Sequence, residues 1–140
     1  MIYTSYFAML RNFPDDVVPI AICLKVPDWY KGIQYKKLAP KYDFFVQYLK
    51  DKNEEHYVDC FRKQVTGVLK ADNIVNEIRS LLPVPDKDKD IVLLCYEKPS
   101  DFCHRHLVAE WLNENGYECE EWSKELLKNK SEQKEAELDL

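Results

Sequence analysis

Apolar residues gather in short blocks separated by polar ones, and the period changes from block to block. Ile91-Val-Leu-Leu-Cys95 is an unbroken apolar run of strand length, which predicts a strand buried on both faces, as in a parallel sheet. Val17 to Leu24 is a second apolar, β-branched run, with Pro19 placing the strand's beginning near that point. Met1 to Thr4 is a short β-prone start, and Tyr117 to Trp122 alternates as a strand would.

Helical spacing takes over between these runs. Pro40 opens a helix over Lys41–Lys50 with Phe44, Phe45, Tyr48 and Leu49 on one side. Glu54–Leu69 places Tyr57, Cys60 or Phe61, Val65, and Val68 or Leu69 at helical spacing, and Asp72 caps a helix running to Leu82. A polar linker, 83–90, precedes the 91–95 strand. Phe102–Glu114 is then a helix that stops at Asn115-Gly116. The order β–β–helices–β–α–β, with its clearest βαβ unit at 91–122, predicts one small α/β domain over residues 1–122. Its sheet is expected to be mostly parallel, flanked by helices and joined by right-handed crossovers. Residues 123–140 are charged and mixed in sign, which predicts a peripheral helix or tail.

Composition narrows the function. A length of 140 residues suits one domain with a real core. Three glycines leave neither GxGxxG nor GxxxxGK[ST], so the usual Gly-rich phosphate cradles are excluded. The net charge of −5 argues against a dedicated duplex-DNA binder. Five cysteines, with no leader-like apolar stretch and no membrane-length run, point to a reducing cytoplasm with free thiols.

The densest chemistry follows the 91–95 strand. Cys95, Glu97, Cys103, His104, Arg105 and His106 fall within a dozen residues, across a strand–loop–helix junction. In α/β proteins ligands bind beyond the carboxyl ends of strands. With Ser100 or Asp101 as cap, Cys103 lies in the helix's first turn, where backbone N–H groups and the helix dipole favour a thiolate or another anion. Helical phase turns Cys103 and His104 inward and His106 outward. Arg105 lies between them, free to swing to the mouth of a cleft and clamp phosphate or carboxylate. Cys103 and Glu97 are candidate reactive groups, with His104 as acid, base or orienter. Against this stands a structural reading: thiols buried as small core residues and Arg105 paired with a carboxylate such as Glu97. Cys95, Cys103 and His104 are conceivable zinc ligands, but thiols eight positions apart do not match the usual C-x₂₋₄-C pair, so neither metal nor cofactor is expected. No Arg stands six positions after either thiol, which excludes a protein-tyrosine-phosphatase loop.

A second segment, 25–42, interleaves Trp29, Tyr30 and Tyr35 with five lysines against one aspartate, a local charge of about +4. Rings with lysines between them suit a base stacked on an aromatic and its phosphate on Lys25 or a neighbour. Tyr3 and Ser5, just after the first strand, would open at the same sheet edge. The expected partner is an anionic small molecule or nucleotide. The alternative is a non-catalytic nucleic-acid or protein-binding module using the basic loop. No membrane partner is expected, and oligomeric state is not legible.

These residues also carry a resemblance. Ile2-Tyr-Thr-Ser-Tyr6, Pro27-Asp-Trp29-Tyr-Lys-Gly32, Leu38-Ala-Pro40 and above all Leu93-Leu-Cys-Tyr-Glu97 with Phe102-Cys-His-Arg105 resemble the bacterial family called domain of unknown function 488. The resemblance spans roughly residues 1–122. It implies a compact Rossmann-like domain and no established activity. The family often carries Arg near Lys25; a Lys there keeps the charge but loses bidentate geometry.

Overall fold

In the computed structural model, which describes residues 1–98 and 100–122, the sheet has five strands in the order β3-β2-β4-β1-β5. The strands are β1 (Ile2–Tyr6), β2 (Val17–Ala21), β3 (Ile33–Gln34), β4 (Asp90–Cys95) and β5 (Cys119–Glu121). Every neighbouring pair is parallel. The helices are α1 (Tyr42–Asp51), α2 (Glu54–Gln64), α3 (Ala71–Leu81) and α4 (His104–Glu114). This is the small Rossmann-like α/β architecture expected from the sequence.

β4 occupies the centre because its apolar run has no side to offer water: Ile91 through Cys95 are all buried. The alternation of the strand sends Ile91, Leu93 and Cys95 to one face, where they pack with residues of all four α-helices, including Phe44, Phe61, Ile78 and Val108. Val92 and Leu94 face the other way, against Tyr3, Phe7, Ala21, Tyr30 and Trp122.

The strand order explains this division. Going from β1 to β2 to β3 the chain moves one way across the sheet; from β3 to β4 to β5 it moves back. Right-handed crossovers in opposite directions must lie on opposite faces. The return journeys carry α1 to α4. The outward ones carry a 3-10 turn, Phe7–Asn12, and the stretch after β2.

Several boundaries differ from the sequence reading. Tyr3 and Ser5 do not follow the first strand; they lie inside it, because β1 runs on to Tyr6. The basic loop contains β3, which adds to the edge of β2. The helix from Glu54 ends at Gln64, and Gly67 follows in a tight turn where a Cβ would collide with the Arg62 carbonyl oxygen. Helix α4 begins at His104, not Phe102. Its N-cap is Cys103, in an extended conformation (φ −155°), rather than Ser100 or Asp101. It does end where expected, with Gly116 at φ +87°. The expected tail, 123–140, lies outside the described residues. Among the described residues no helix is long and apolar enough to cross a membrane.

Candidate functional site

β2 hands its chain to one face of the sheet and β4 hands its chain to the other. Strands with opposite exits leave a crevice at their carboxyl ends, which is where open α/β sheets bind ligands. A cleft of about 230 Å³ lies there. Cys23, Leu24 and Lys25 line it from the end of β2, and Cys95, Tyr96 and Glu97 from the end of β4. Pro40 and Phe45, at the start of α1, give it an apolar wall, and His104 closes it from the first turn of α4. Tyr96 braces the mouth by donating its hydroxyl to the Lys25 carbonyl, 2.6 Å away.

Behind the cleft floor three soft donors meet. The ligating atoms of Cys95, Cys103 and His104 all lie within 4.8 Å of one another, and all three residues are buried. β4 brings Cys95 to the helical face of the sheet. The extended Cys103 cap turns its sulfur to the same point, and α4 adds His104 one residue on. Cys95 Sγ is 3.6 Å from each ring nitrogen of His104, and Cys103 Sγ is 3.9 Å from Nδ1. His104 Nε2 lies 2.7 Å from the Ile22 carbonyl. A carbonyl only accepts, so Nε2 carries a hydrogen and Nδ1, the nitrogen beside Cys103 Sγ, is left with its lone pair.

The two thiols are driven apart electrostatically. Cys103 is held far below the ordinary thiol range, first by the hydrogen bond from Cys95 and then by His104 and Arg105, against the cost of burial. Cys95 goes well above that range because it is buried and keeps its proton, donating it in a hydrogen bond to Cys103. Glu97 is raised by burial and by Cys103. Such an opposed pair beside an acid is the arrangement a reactive thiolate needs.

Arg105 is not at the cleft mouth. Its side chain is 0 % exposed and makes a two-pronged ion pair with Glu121 at the end of β5, with Nε at 3.0 Å and Nη2 at 3.0 Å. Thr4 adds a hydroxyl to the same carboxylate, and the Tyr6 ring lies 5.7 Å from the guanidinium carbon. The expectation of a swinging arginine fails because the apolar side of α4 packs on the sheet and carries Arg105 with it. The carboxylate that pairs with it is Glu121, not Glu97.

The family described as the active DUF488-N3 subclade matches residues 11–116. The chain belongs to the DUF488 family. No curated protein and no solved structure matches it. The DUF488 match takes in Lys25, Cys95, Glu97, Cys103, His104 and Arg105, whereas Tyr3, Ser5 and Glu121 fall outside the matched residues.

Of the residues singled out in this DUF488 chain, the fold brings Lys25, Glu97 and His104 to one cleft, with Cys103 just behind. The aromatic loop does not join them. Tyr30 is buried on the other face and gives its hydroxyl to the Ile33 carbonyl at 2.8 Å. Tyr35 is buried and bonded to Glu77. Trp29 is 59 % exposed, but it borders a separate hollow beside Phe7 and Leu10. Tyr3 is packed edge-on against Trp122, and the Ser5 hydroxyl bonds the Trp122 carbonyl. Four of the five expected stacking or hydroxyl groups are thus spent on the core. His106, expected to be solvated, is half-buried, with Nε2 shielded from water. Sequence reasoning missed Glu121, Cys23 and the Ile22 carbonyl. Glu121 is a charged residue in an alternating strand, and nothing local marks it as Arg105's partner.

Proposed function

We propose that this DUF488 chain binds a small polar or anionic molecule in the cleft between the carboxyl ends of β2 and β4, and acts on it with Glu97, His104 and Cys103. The observation that carries the reading is the cleft itself. It lies at the point where the chain's crossovers change face, and it combines an apolar wall with Lys25, Glu97 and His104. At about 230 Å³ it is smaller than the sites that enclose drug-sized ligands, roughly 300–1,000 Å³. It suits one ring or a short acid rather than a whole nucleotide. Lys25 supplies the cation; Arg105, spent on Glu121, is the structural member of the Cys-His-Arg turn.

The test is a thermal-shift and NMR titration with inorganic phosphate, short carboxylates and nucleobases as probes. A saturable response that disappears in Lys25→Ala and Glu97→Gln, and persists in Trp29→Ala, supports the reading. A response unaffected by the two cleft variants removes it.

A further inference from the structure

We infer that Cys95, Cys103 and His104 form a site for a thiophilic divalent cation, Zn²⁺ foremost, with one coordination position left open to the cleft. The inference rests on the proposed cleft being the working site, and it names what that site would carry.

The first support is distance. Zinc bonds of about 2.3 Å to sulfur and about 2.05 Å to nitrogen make a tetrahedral sulfur–nitrogen edge of about 3.6 Å and a sulfur–sulfur edge of about 3.8 Å. The sulfurs stand 3.6 and 3.9 Å from His104 Nδ1. All three donor atoms are already within 4.8 Å of one another. An ion would draw them closer by no more than about 1 Å to reach tetrahedral edges.

The second support is the orientation of the imidazole. The Ile22 carbonyl holds the Nε2 hydrogen, which leaves Nδ1 as the unprotonated ring nitrogen, 3.6 Å from Cys95 Sγ and 3.9 Å from Cys103 Sγ. Metal-bound histidines are fixed in this way, with the far nitrogen donating to a carbonyl or carboxylate. The Ile22 carbonyl belongs to the chain just after β2, so it is set by the same strand that builds the cleft.

The third support is the donor set. Two thiolates and a neutral imidazole balance a divalent charge in a buried place, and soft sulfur selects zinc over magnesium or calcium. Three protein ligands with the fourth position open is the pattern of catalytic rather than structural zinc. Cys95 and His104 both line the cleft, so a water or ligand there reaches the open position. Glu97 is the carboxylate lining that cleft among the described residues. Binding releases the remaining thiol protons to solvent. The eight-residue separation of the thiols hid the site in the sequence: a strand end and a helix cap bring them together, not a knuckle.

The experiment is a Co²⁺ titration of the reduced, chelator-treated full chain, followed by Zn²⁺ competition and elemental analysis. One equivalent of Co²⁺ should give a thiolate-to-cobalt charge-transfer band in the near ultraviolet, bleached by one equivalent of Zn²⁺. Cys103→Ser and Cys95→Ser should each weaken binding by more than the roughly 10–100-fold that loss of an outer-shell partner costs. Cys60→Ser, on the outer part of α2, should bind as the wild type does. Circular dichroism identifies which variants fold. Absence of the band in the wild type overturns the inference whatever the variants do, and so does the same band in a folded Cys95→Ser or Cys103→Ser chain. The readout is the metal, so this proposal and the ligand proposal can fail separately.

Discussion

The Arg105 guanidinium and the Glu121 carboxylate lock the start of α4 to the end of β5, sixteen residues on, with two hydrogen bonds of 3.0 Å. The arginine is fully buried and the glutamate partly so. Removing one member of such a pair leaves the other charge without its partner, a loss of about 3–5 kcal/mol in buried sites. Glu121→Ala should therefore destabilise the chain by about 3 kcal/mol, at the lower end because solvent reaches the carboxylate. Arg105→Lys should also destabilise, since one ammonium does not reproduce the fork. Urea unfolding measures both. An unchanged midpoint in both variants would show that the pair adds nothing to stability.

Tyr30 and Trp29 are neighbours with opposite fates. Tyr30→Phe removes the bond to the Ile33 carbonyl and should cost about 1 kcal/mol. Trp29→Ala, at an exposed position, should stay within about 0.5 kcal/mol of the wild type. The comparison is made by thermal unfolding of the two variants side by side.

Alkaline pH should unfold the chain cooperatively. Burial raises Tyr30 from its ordinary value of 10 to about 12. Burial, with Glu77 accepting its hydroxyl, raises Tyr35 as well. A group raised in the folded state contributes stability that is complete below the unfolded pKa and is lost as pH rises toward the folded one. Stability should thus decline from pH 10 to pH 12. Phenolate absorbance at these tyrosines should appear together with the loss of far-ultraviolet dichroism. Full phenolate titration in a folded chain would contradict the burial assigned to them.

Alkylation should sort the thiols. Burial raises Cys23 to about 11 and Cys119 to about 12, so few thiolates form there at pH 8. Cys60 is also raised, but it lies nearer solvent, against His56. Mass spectrometry after brief iodoacetamide treatment should find Cys60 modified well before Cys23 or Cys119; the reverse order would refute the assignment.

Gly67→Ala should destabilise by forcing the 66–68 turn open, because an added methyl group meets the Arg62 backbone carbonyl, which cannot step aside. The loss should show in thermal unfolding as a lowered midpoint.

What the sequence could tell followed from how local each signal was. β4 was legible because five consecutive apolar residues need no partner to declare a buried strand. The end of α4 was legible because Asn115-Gly116 is local chemistry. Its start was not: Asp101 looks like a cap, but Cys103 takes the extended conformation that positions its sulfur. β3 is two residues long and exists only because β2 offers an edge. The cluster at 95–105 was found, yet its internal arrangement was not. Which way Arg105 turned depended on Glu121, and where His104 pointed depended on the Ile22 carbonyl. Both lie in other segments, and no periodicity connects them.

The central strand is also nearly the last to be made. β1 and β2 both pair with β4, so Ile2 waits for Ile91 and Val18 for the same residue. Long-range pairing of this kind slows folding, because a large loop must close before the ladders to β4 can form. As the chain leaves the ribosome, β1 has no neighbour and β2 has only the two-residue β3, while α1 to α3 can form locally. Most of the sheet therefore assembles in a late step, and a chain ended before residue 90 would have α1 to α3 but only the short β2–β3 pair to lay them on.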